Sequence, residues 1–109
     1  MATEYKVLGQ SAPGATTATT LYTVPAATSA LVSSVAVCNR SASDATYRIS
    51  IRPAGAALAN DHYLVYDSIA SANDTVIFTI GITLAATDVL EVYASSADLT
   101  FQALGTEMT

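Results

Sequence analysis

Residues 46–52 read Thr-Tyr-Arg-Ile-Ser-Ile-Arg, and their alternation of apolar and polar side chains decides the fold class. An alternation of period two is typical of a β-strand that buries one face and exposes the other. The two faces carry Tyr47, Ile49 and Ile51 on one side and Arg48, Ser50 and Arg52 on the other. Pro53 and Gly55 follow, and both residue types end regular structure.

Similar short segments occur on both sides of this strand, and turn residues separate them about every ten positions. No segment keeps a helical period for long, and residues 54–60 (AGAALAN) predict one helical turn at most. The sequence therefore predicts an all-β fold, a β-sandwich or jelly-roll-like domain with seven to eight short antiparallel strands. The predicted strands are residues 5–8, 20–24, 30–38, 46–52, 62–66, 75–80, 89–94 and 98–104.

The length of 109 residues fits one domain, and the composition indicates a packed core. Hydrophobic residues make up 51% of the chain and charged residues 12%, which excludes intrinsic disorder. No apolar run approaches the roughly 18 residues of a membrane helix. Pro13 and Gly14 interrupt a stretch of small residues, so we expect residues 1–20 to form an N-terminal strand or arm and a linker. Residues 21–109 form the predicted β-sandwich domain.

The charge of the chain argues against two classes of partner. The net charge is −5, and the basic residues are Lys6, Arg40, Arg48 and Arg52. Binding to nucleic acid requires clustered cations that replace the counterions of the phosphates, and four scattered cations are too few. Attraction to an anionic membrane surface is disfavoured for the same reason. We therefore predict no nucleic-acid partner and no membrane partner.

The sequence predicts neither an enzyme nor a cofactor site. His62 beside Asp61 is the one histidine, and no G-x-S-x-G motif accompanies it. One histidine and the single Cys38 cannot supply the three or four ligands of a zinc site without carboxylates from distant turns. A calcium site stays open as an alternative, although aspartates at turns commonly bind nearby backbone groups through their own side chains. The turn aspartates are Asp44, Asp61, Asp67, Asp74, Asp88 and Asp98.

Cys38 and four tyrosines carry separate expectations about burial. Cys38 ends the apolar run ALVSSVAVC (30–38), and we expect it to be buried, structural and inert. Tyr47 and Tyr93 occupy positions typical of the core. Tyr63 and Tyr66 fall on opposite faces of one predicted strand, so one of them leaves the core, and exposed tyrosines are favoured at protein interfaces.

The predicted strand edges also point to a partner. Lysine normally guards free edges, and this chain has one, Lys6. Tyr5, Val7 and Leu8 form an apolar patch on the arm, and we expect this patch to add a strand to a neighbouring subunit. The predicted interface residues are Tyr5, Val7, Leu8, Arg48, Arg52, Tyr63 and Tyr66.

Four segments carry a resemblance to a known class of proteins. They are L-Y-T-V-P-A at 21–26, V-C-N-R-S at 37–41, Y-R-I-S-I-R at 47–52 and G-I-T-L-A-A-T-D at 81–88. With them, the chain from Leu21 to Glu107 resembles small virion structural proteins of tailed bacteriophages, notably of marine and cyanobacterial phages.

This resemblance implies a non-enzymatic virion component. The favoured expectation is a capsid decoration (cement) protein on the capsid exterior, bound to the major capsid protein or other virion proteins, and homo-oligomeric with a trimer favoured. A structural β-domain of the neck, tail or fibre is the alternative. A further alternative is a host-surface carbohydrate-binding module, which requires exposed aromatic side chains together with carboxylates.

Overall fold

Strands with alternating burial build almost the whole chain. A computed structural model describes residues 2–79 and 81–109, and these residues contain nine strands. The strands are β1 (Thr3–Ser11), β2 (Thr19–Thr23), β3 (Ser29–Asn39), β4 (Ala45–Arg52), β5 (Tyr63–Ala70), β6 (Thr75–Phe78), β7 (Ile82–Leu84), β8 (Val89–Ala94) and β9 (Leu99–Met108). Single 3-10 turns at Pro53–Gly55 and Asn60–His62 lie between β4 and β5.

The described strands form two antiparallel sheets. The first sheet has the order β1-β9-β3-β6, with β7 also paired to β3, and the second has the order β2-β8-β4-β5. This arrangement confirms the predicted all-β class and is consistent with a β-sandwich. The short strand β7 was not predicted, because three residues are too few to show an alternation.

Apolar side chains from both sheets meet in one core. Tyr47 of β4 lies at its centre and contacts Phe78 and Phe101 edge to face, with ring centroids 6.2 Å apart in both pairs. Fully burying a large apolar side chain contributes roughly 1.5–3 kcal/mol. The other large buried members include Val24, Val32, Val35, Val37, Ile49, Leu84, Leu90, Val92 and Leu99.

The first strand belongs to the first sheet of its own chain. β1 pairs with β9 along its length, from Thr3 opposite Met108 to Ser11 opposite Phe101. Beyond the strands, the backbone N–H groups of Ala2 and Thr109 each donate a hydrogen bond to the other residue's carbonyl. Because β1 pairs only with β9 among the described strands of this sheet, residues 3–11 are an edge strand of the sandwich. The expected boundary between arm and domain, after residue 20, falls inside β2 (Thr19–Thr23).

β1 and β2 approach each other closely at Gly9. A register shift lies between Val7 and Gly9, and Gly9 then faces inward opposite Ala103. A Cβ atom at Gly9 would lie 2.1 Å from the carbonyl oxygen of Leu21. Only glycine permits this contact between two backbones.

Two expectations about burial are wrong. Cys38 is half-exposed on the outer face of the first sheet, because the inward positions of β3 are Val35, Val37 and Asn39. Tyr93 is half-exposed on the outer face of the second sheet, because β8 turns Leu90, Val92 and Ala94 toward the core. Both residues lie in segments that are apolar on two faces, where composition does not reveal which face is inward.

The turn that follows β3 is organised by a buried amide. Asn39 is 1% exposed, and its Nδ2 donates hydrogen bonds to the carbonyl oxygens of Ser43 and Ala70, at 2.8 and 2.9 Å. Its Oδ1 accepts hydrogen bonds from the backbone N–H and the hydroxyl of Ser41, both at 3.0 Å. Asn39 therefore ties its own turn to the end of β5 in the other sheet.

Candidate functional site

Six of the seven predicted interface residues fall on two different outer faces of the sandwich. Tyr5 and Val7 lie on the outer face of the first sheet and are 85% and 50% exposed. Leu8 lies at the register shift of β1 and is half-buried against the core, so it does not extend that patch. The others lie on the second sheet, where Arg48, Tyr63 and Tyr66 form one group, whereas Arg52 pairs with Glu91.

The outer face of the first sheet carries no charged side chain at any outward strand position that the structure describes. Its large exposed apolar side chains are Tyr5, Val7, Leu31 and Ile77. Small or polar side chains fill the rest. By strand register, this uncharged face comprises Thr3, Tyr5, Val7, Gln10, Ser29, Leu31, Ser34, Ala36, Cys38, Thr75, Ile77, Thr83, Thr100, Gln102, Leu104, Thr106 and Met108.

On the second sheet, the guanidinium group of Arg48 lies against two tyrosine rings. Its Cζ is 4.2 Å from the ring centroid of Tyr66 and 4.5 Å from that of Tyr93. Its Nε and Nη2 donate hydrogen bonds of 2.7 and 3.2 Å to the carboxylate of Asp67. This hydrogen bonding raises the pKa of Arg48 and lowers the pKa of Asp67 below its ordinary value of 3.8.

An irregularity in β5 places Tyr63, Tyr66 and Asp67 near Arg48. Asp67 has a φ of 52°, and β5 shifts register against β4 in this region. Tyr63 and Tyr66 contact each other edge to face, with centroids 4.9 Å apart, so the expectation that they occupy opposite faces is wrong. We call Arg48, Tyr63, Tyr66, Asp67 and Tyr93 the tyrosine–arginine cluster.

Beside this cluster lies an open pocket of about 160 Å³, which we call the Glu91 pocket. Glu91 is 9% exposed although it projects from the outer face of β8. Its Oε1 lies 3.2 Å from Nε of Arg52, in a geometry that makes an ion pair without a hydrogen bond. The lining residues are Ala18, Arg48, Ser50, Leu58, Tyr63, Glu91, Val92 and Tyr93.

Arg52 is held in place by the backbone that follows β4. Its Nη1 donates hydrogen bonds to the carbonyl oxygens of Gly55 and Ala56, at 3.1 and 3.0 Å. Together with the ion pair to Glu91, these contacts make Arg52 a supporting residue of the pocket. Sequence reasoning selected Arg48 and Arg52 but missed Tyr93, Asp67 and Glu91, because only the pairing of β4 with β8 and β5 brings them together.

The other candidate groups have local roles. His62 Nδ1 accepts a hydrogen bond of 3.1 Å from the backbone N–H of Ala59. Asp88 accepts hydrogen bonds from the backbone N–H groups of Ala54 and Ala85, which confirms its predicted role at a turn. Within residues 2–79 and 81–109, no group of three or more His, Cys, Asp or Glu side chains is arranged to hold a metal ion. No helix in the same residues is long and apolar enough to cross a membrane.

Fold and surfaces together define an all-β sandwich domain with one uncharged outer face and one face of paired charges and tyrosines. No protein-family model matches the chain, and no curated protein is significantly similar to it.

Proposed function

We propose that the protein is a non-enzymatic structural protein of a tailed-bacteriophage virion, and that it decorates the capsid as a cement protein. The observation that carries this proposal is the uncharged face of the first sheet. The resemblance of residues 21–107 to small phage virion proteins supplies the class of assembly. The expected partners are the major capsid protein, or other virion proteins, and further copies of this chain, with a trimer favoured.

The uncharged face suits permanent contact with another protein. The described outward strand positions of this face carry no charged side chain. A partner that covers the face therefore desolvates no charged group there, and the free-energy cost of burying a charge is avoided. The cores of protein interfaces are depleted in charged residues in the same way. Exposed Tyr5 and Leu31 supply apolar area for such a contact.

The strand β1 borders this face and is itself an edge of the first sheet. The backbone groups that face away from β9 are free to pair with a strand of another subunit. Lys6, the guard that the sequence offers, instead forms ion pairs with Glu107 at 2.7 Å and Glu4 at 3.7 Å. The position of this edge strand next to an uncharged face favours contact between copies.

The acidic charge suits the exterior of a particle filled with DNA. The net charge is −5, and three of the four basic side chains, Lys6, Arg48 and Arg52, pair with carboxylates. Such a surface repels nucleic acid. Many copies that bind only the assembled lattice stabilise it by mass action.

Immunogold electron microscopy tests the location. Antibodies against the purified protein, applied to particles of the phage that encodes it, should label the heads in a regular array. Labelling confined to the tail or neck would support the structural alternative and overturn capsid decoration. Particles that bind no antibody and contain no peptide of this chain by mass spectrometry would overturn the virion assignment.

A matched pair of lysine variants tests the contact face. Leu31→Lys places a charge on the uncharged face, whereas Thr23→Lys places one at an exposed position of β2 in the second sheet. We expect Leu31→Lys to weaken self-association and binding to purified heads at least about tenfold, and Thr23→Lys to leave both unchanged. Equal effects of the two variants, with equal melting temperatures, would rule out the uncharged face as the contact surface.

A further inference from the structure

The geometry points to a second function for the opposite side of the molecule: we propose that the Glu91 pocket binds one ring of a neutral glycan. The inference concerns the second sheet, does not depend on the virion assignment, and uses none of the residues of the uncharged face. Four observations support it: the size of the pocket, the chemistry of its walls, its charge balance and the rigidity of its side chains.

The size of the pocket limits the ligand to one small unit. Its volume of about 160 Å³ is below the roughly 300–1,000 Å³ of pockets that enclose drug-sized ligands. Because the pocket is open to solvent, the rest of a longer chain can continue outward. This shape fits the recognition of a single ring within an oligosaccharide.

The walls combine flat apolar surface with a few polar groups. Tyr63 and Tyr93 present aromatic rings, and Leu58, which is 41% exposed, adds aliphatic surface. The negative face of an aromatic ring attracts the weakly positive C–H groups of a sugar ring. A small number of polar groups among apolar walls is the usual composition of a site that fixes the orientation of its ligand.

The polar groups in the pocket are both donors and acceptors, as sugar hydroxyls require. Glu91 is an acceptor, and Arg52 is paired with its Oε1, which leaves Oε2 for a ligand. Arg48 carries five N–H groups, and Asp67 engages its Nε and Nη2. Ser50 can donate or accept. A hydroxyl that meets both a carboxylate and a guanidinium can use its donor and its acceptor capacity at once.

The charges of the site argue for a neutral ligand. Arg48 is paired with Asp67, and Arg52 is paired with Glu91, so each cation near the pocket has its own carboxylate. A cationic ligand would have to compete with Arg52 for Glu91, and an anionic ligand would have to compete with Asp67 for Arg48. A neutral polyhydroxyl ring disturbs neither ion pair.

The side chains are held in place before any ligand arrives. Tyr66 and Tyr93 flank the guanidinium of Arg48, and Tyr63 packs edge to face on Tyr66. Binding therefore orders few rotamers, which lowers the entropic cost of association. Single-ring recognition of this kind is weak, with a Kd on the order of 0.1–10 mM.

Titration of the isotope-labelled protein with neutral disaccharides tests the site by NMR. The probes are maltose, cellobiose, lactose and chitobiose, each raised to about 50 mM. We expect at least one of them to cause saturable shifts of the backbone amides of Ser50, Glu91 and Tyr93. The absence of saturable shifts at these amides with all four probes would overturn the proposal. Stronger binding of a lysine peptide or of inorganic phosphate at the same amides would overturn it as well.

Variants separate pocket binding from contact with any exposed tyrosine. Tyr63→Ala should weaken binding about tenfold and Tyr63→Phe should restore it, whereas Tyr5→Ala, which removes an exposed tyrosine from the first sheet, should have no effect. Leu58→Glu, at a 41% exposed position in the pocket wall, provides a second test that does not touch the tyrosine–arginine cluster. Unchanged affinity in Leu58→Glu, or in a folded Tyr63→Ala, would overturn the proposed site.

Discussion

The hydroxyl of Tyr22 donates a hydrogen bond of 2.5 Å to Oε2 of Glu107, and this contact joins the two sheets of the sandwich. Lys6 lies on the other side of the same carboxylate, with its Nζ 2.7 Å from Oε1. The hydrogen bonds from Lys6 and Tyr22 hold the pKa of Glu107 below its ordinary value of 4.5, and burial opposes this shift only in part. The ionised form of Glu107 is therefore part of the folded structure.

We predict that the protein loses stability in acid. A carboxyl whose pKa is lowered by folding stabilises the folded state above its ordinary pKa, and this contribution disappears as the pH falls through the folded pKa. The stabilising contribution of Glu107 begins to be lost as the pH falls below about 4.5. That of Asp67, beside Arg48, begins to be lost below about pH 3.8. Urea unfolding between pH 7 and pH 3 should show a free energy of unfolding that declines over this acidic range.

Glu107→Gln should have a shallower decline than the wild-type protein, because the substituted amide does not titrate. Glu4→Gln is the matched control, since Glu4 pairs with the same lysine at 3.7 Å but has a side chain that is 69% exposed. It should keep the wild-type profile. A wild-type profile in Glu107→Gln would show that the link between Tyr22 and Glu107 does not govern stability in acid.

The close approach at Gly9 predicts a position that tolerates no side chain. Gly9→Ala places a methyl group against the carbonyl oxygen of Leu21, so β1 or β2 must shift, and we expect a loss of about 2–3 kcal/mol in the free energy of unfolding. Gly14→Ala is the control, because the nearest atom to its Cβ would be Thr17 Oγ1 at 3.8 Å. Chemical denaturation measures both, and equal stability of the two variants would contradict the close approach.

The buried amide of Asn39 predicts a large effect from a small truncation. Asn39→Ala removes its four hydrogen bonds and leaves the carbonyl oxygen of Ala70 without its partner, so we expect destabilisation by about 2–3 kcal/mol. Ser43→Ala, in the same turn, keeps the backbone carbonyl that accepts from Asn39 and should change stability by less than about 0.5 kcal/mol. Thermal unfolding of both variants checks the difference.

The position of Cys38 predicts that a thiol reagent labels the folded protein. The side chain lies half-exposed on the uncharged face, so labelling does not require global unfolding. We expect the rate in buffer to stay constant when stabilising salts are added. A rate that falls with increasing stability would show that the thiol becomes accessible only in the unfolded chain. Protection of the thiol in assembled particles would place the uncharged face in a contact.

The alternation in residues 46–52 predicts β4 correctly because the core side of a strand repeats every second residue. It also separates Tyr47, which is buried, from Arg48, which faces outward. The all-β class follows from several such segments, since none of them has the period of a helix. The local sequence pattern is therefore sufficient to predict the fold class.

The tyrosine–arginine cluster could not be predicted in the same way. Arg48 meets Tyr93 through the register of β4 against β8, and these strands are far apart in the sequence. Asp67 reaches Arg48 because β5 changes register and Asp67 adopts a positive φ, and neither feature has a signal in the local composition. The first strand poses a related problem, because backbone pairing within a chain and pairing between chains need the same kind of residues.

The paired backbone hydrogen bonds between Ala2 and Thr109 place the two ends of the described chain side by side. A short peptide joining them would therefore close the backbone into a ring without displacing β1 or β9. New termini can then be opened in the exposed segment 56–59, which lies outside both sheets. A circular permutant built in this way retains every strand pairing. It also moves any fused protein from the edge near β1 to the loop that borders the Glu91 pocket.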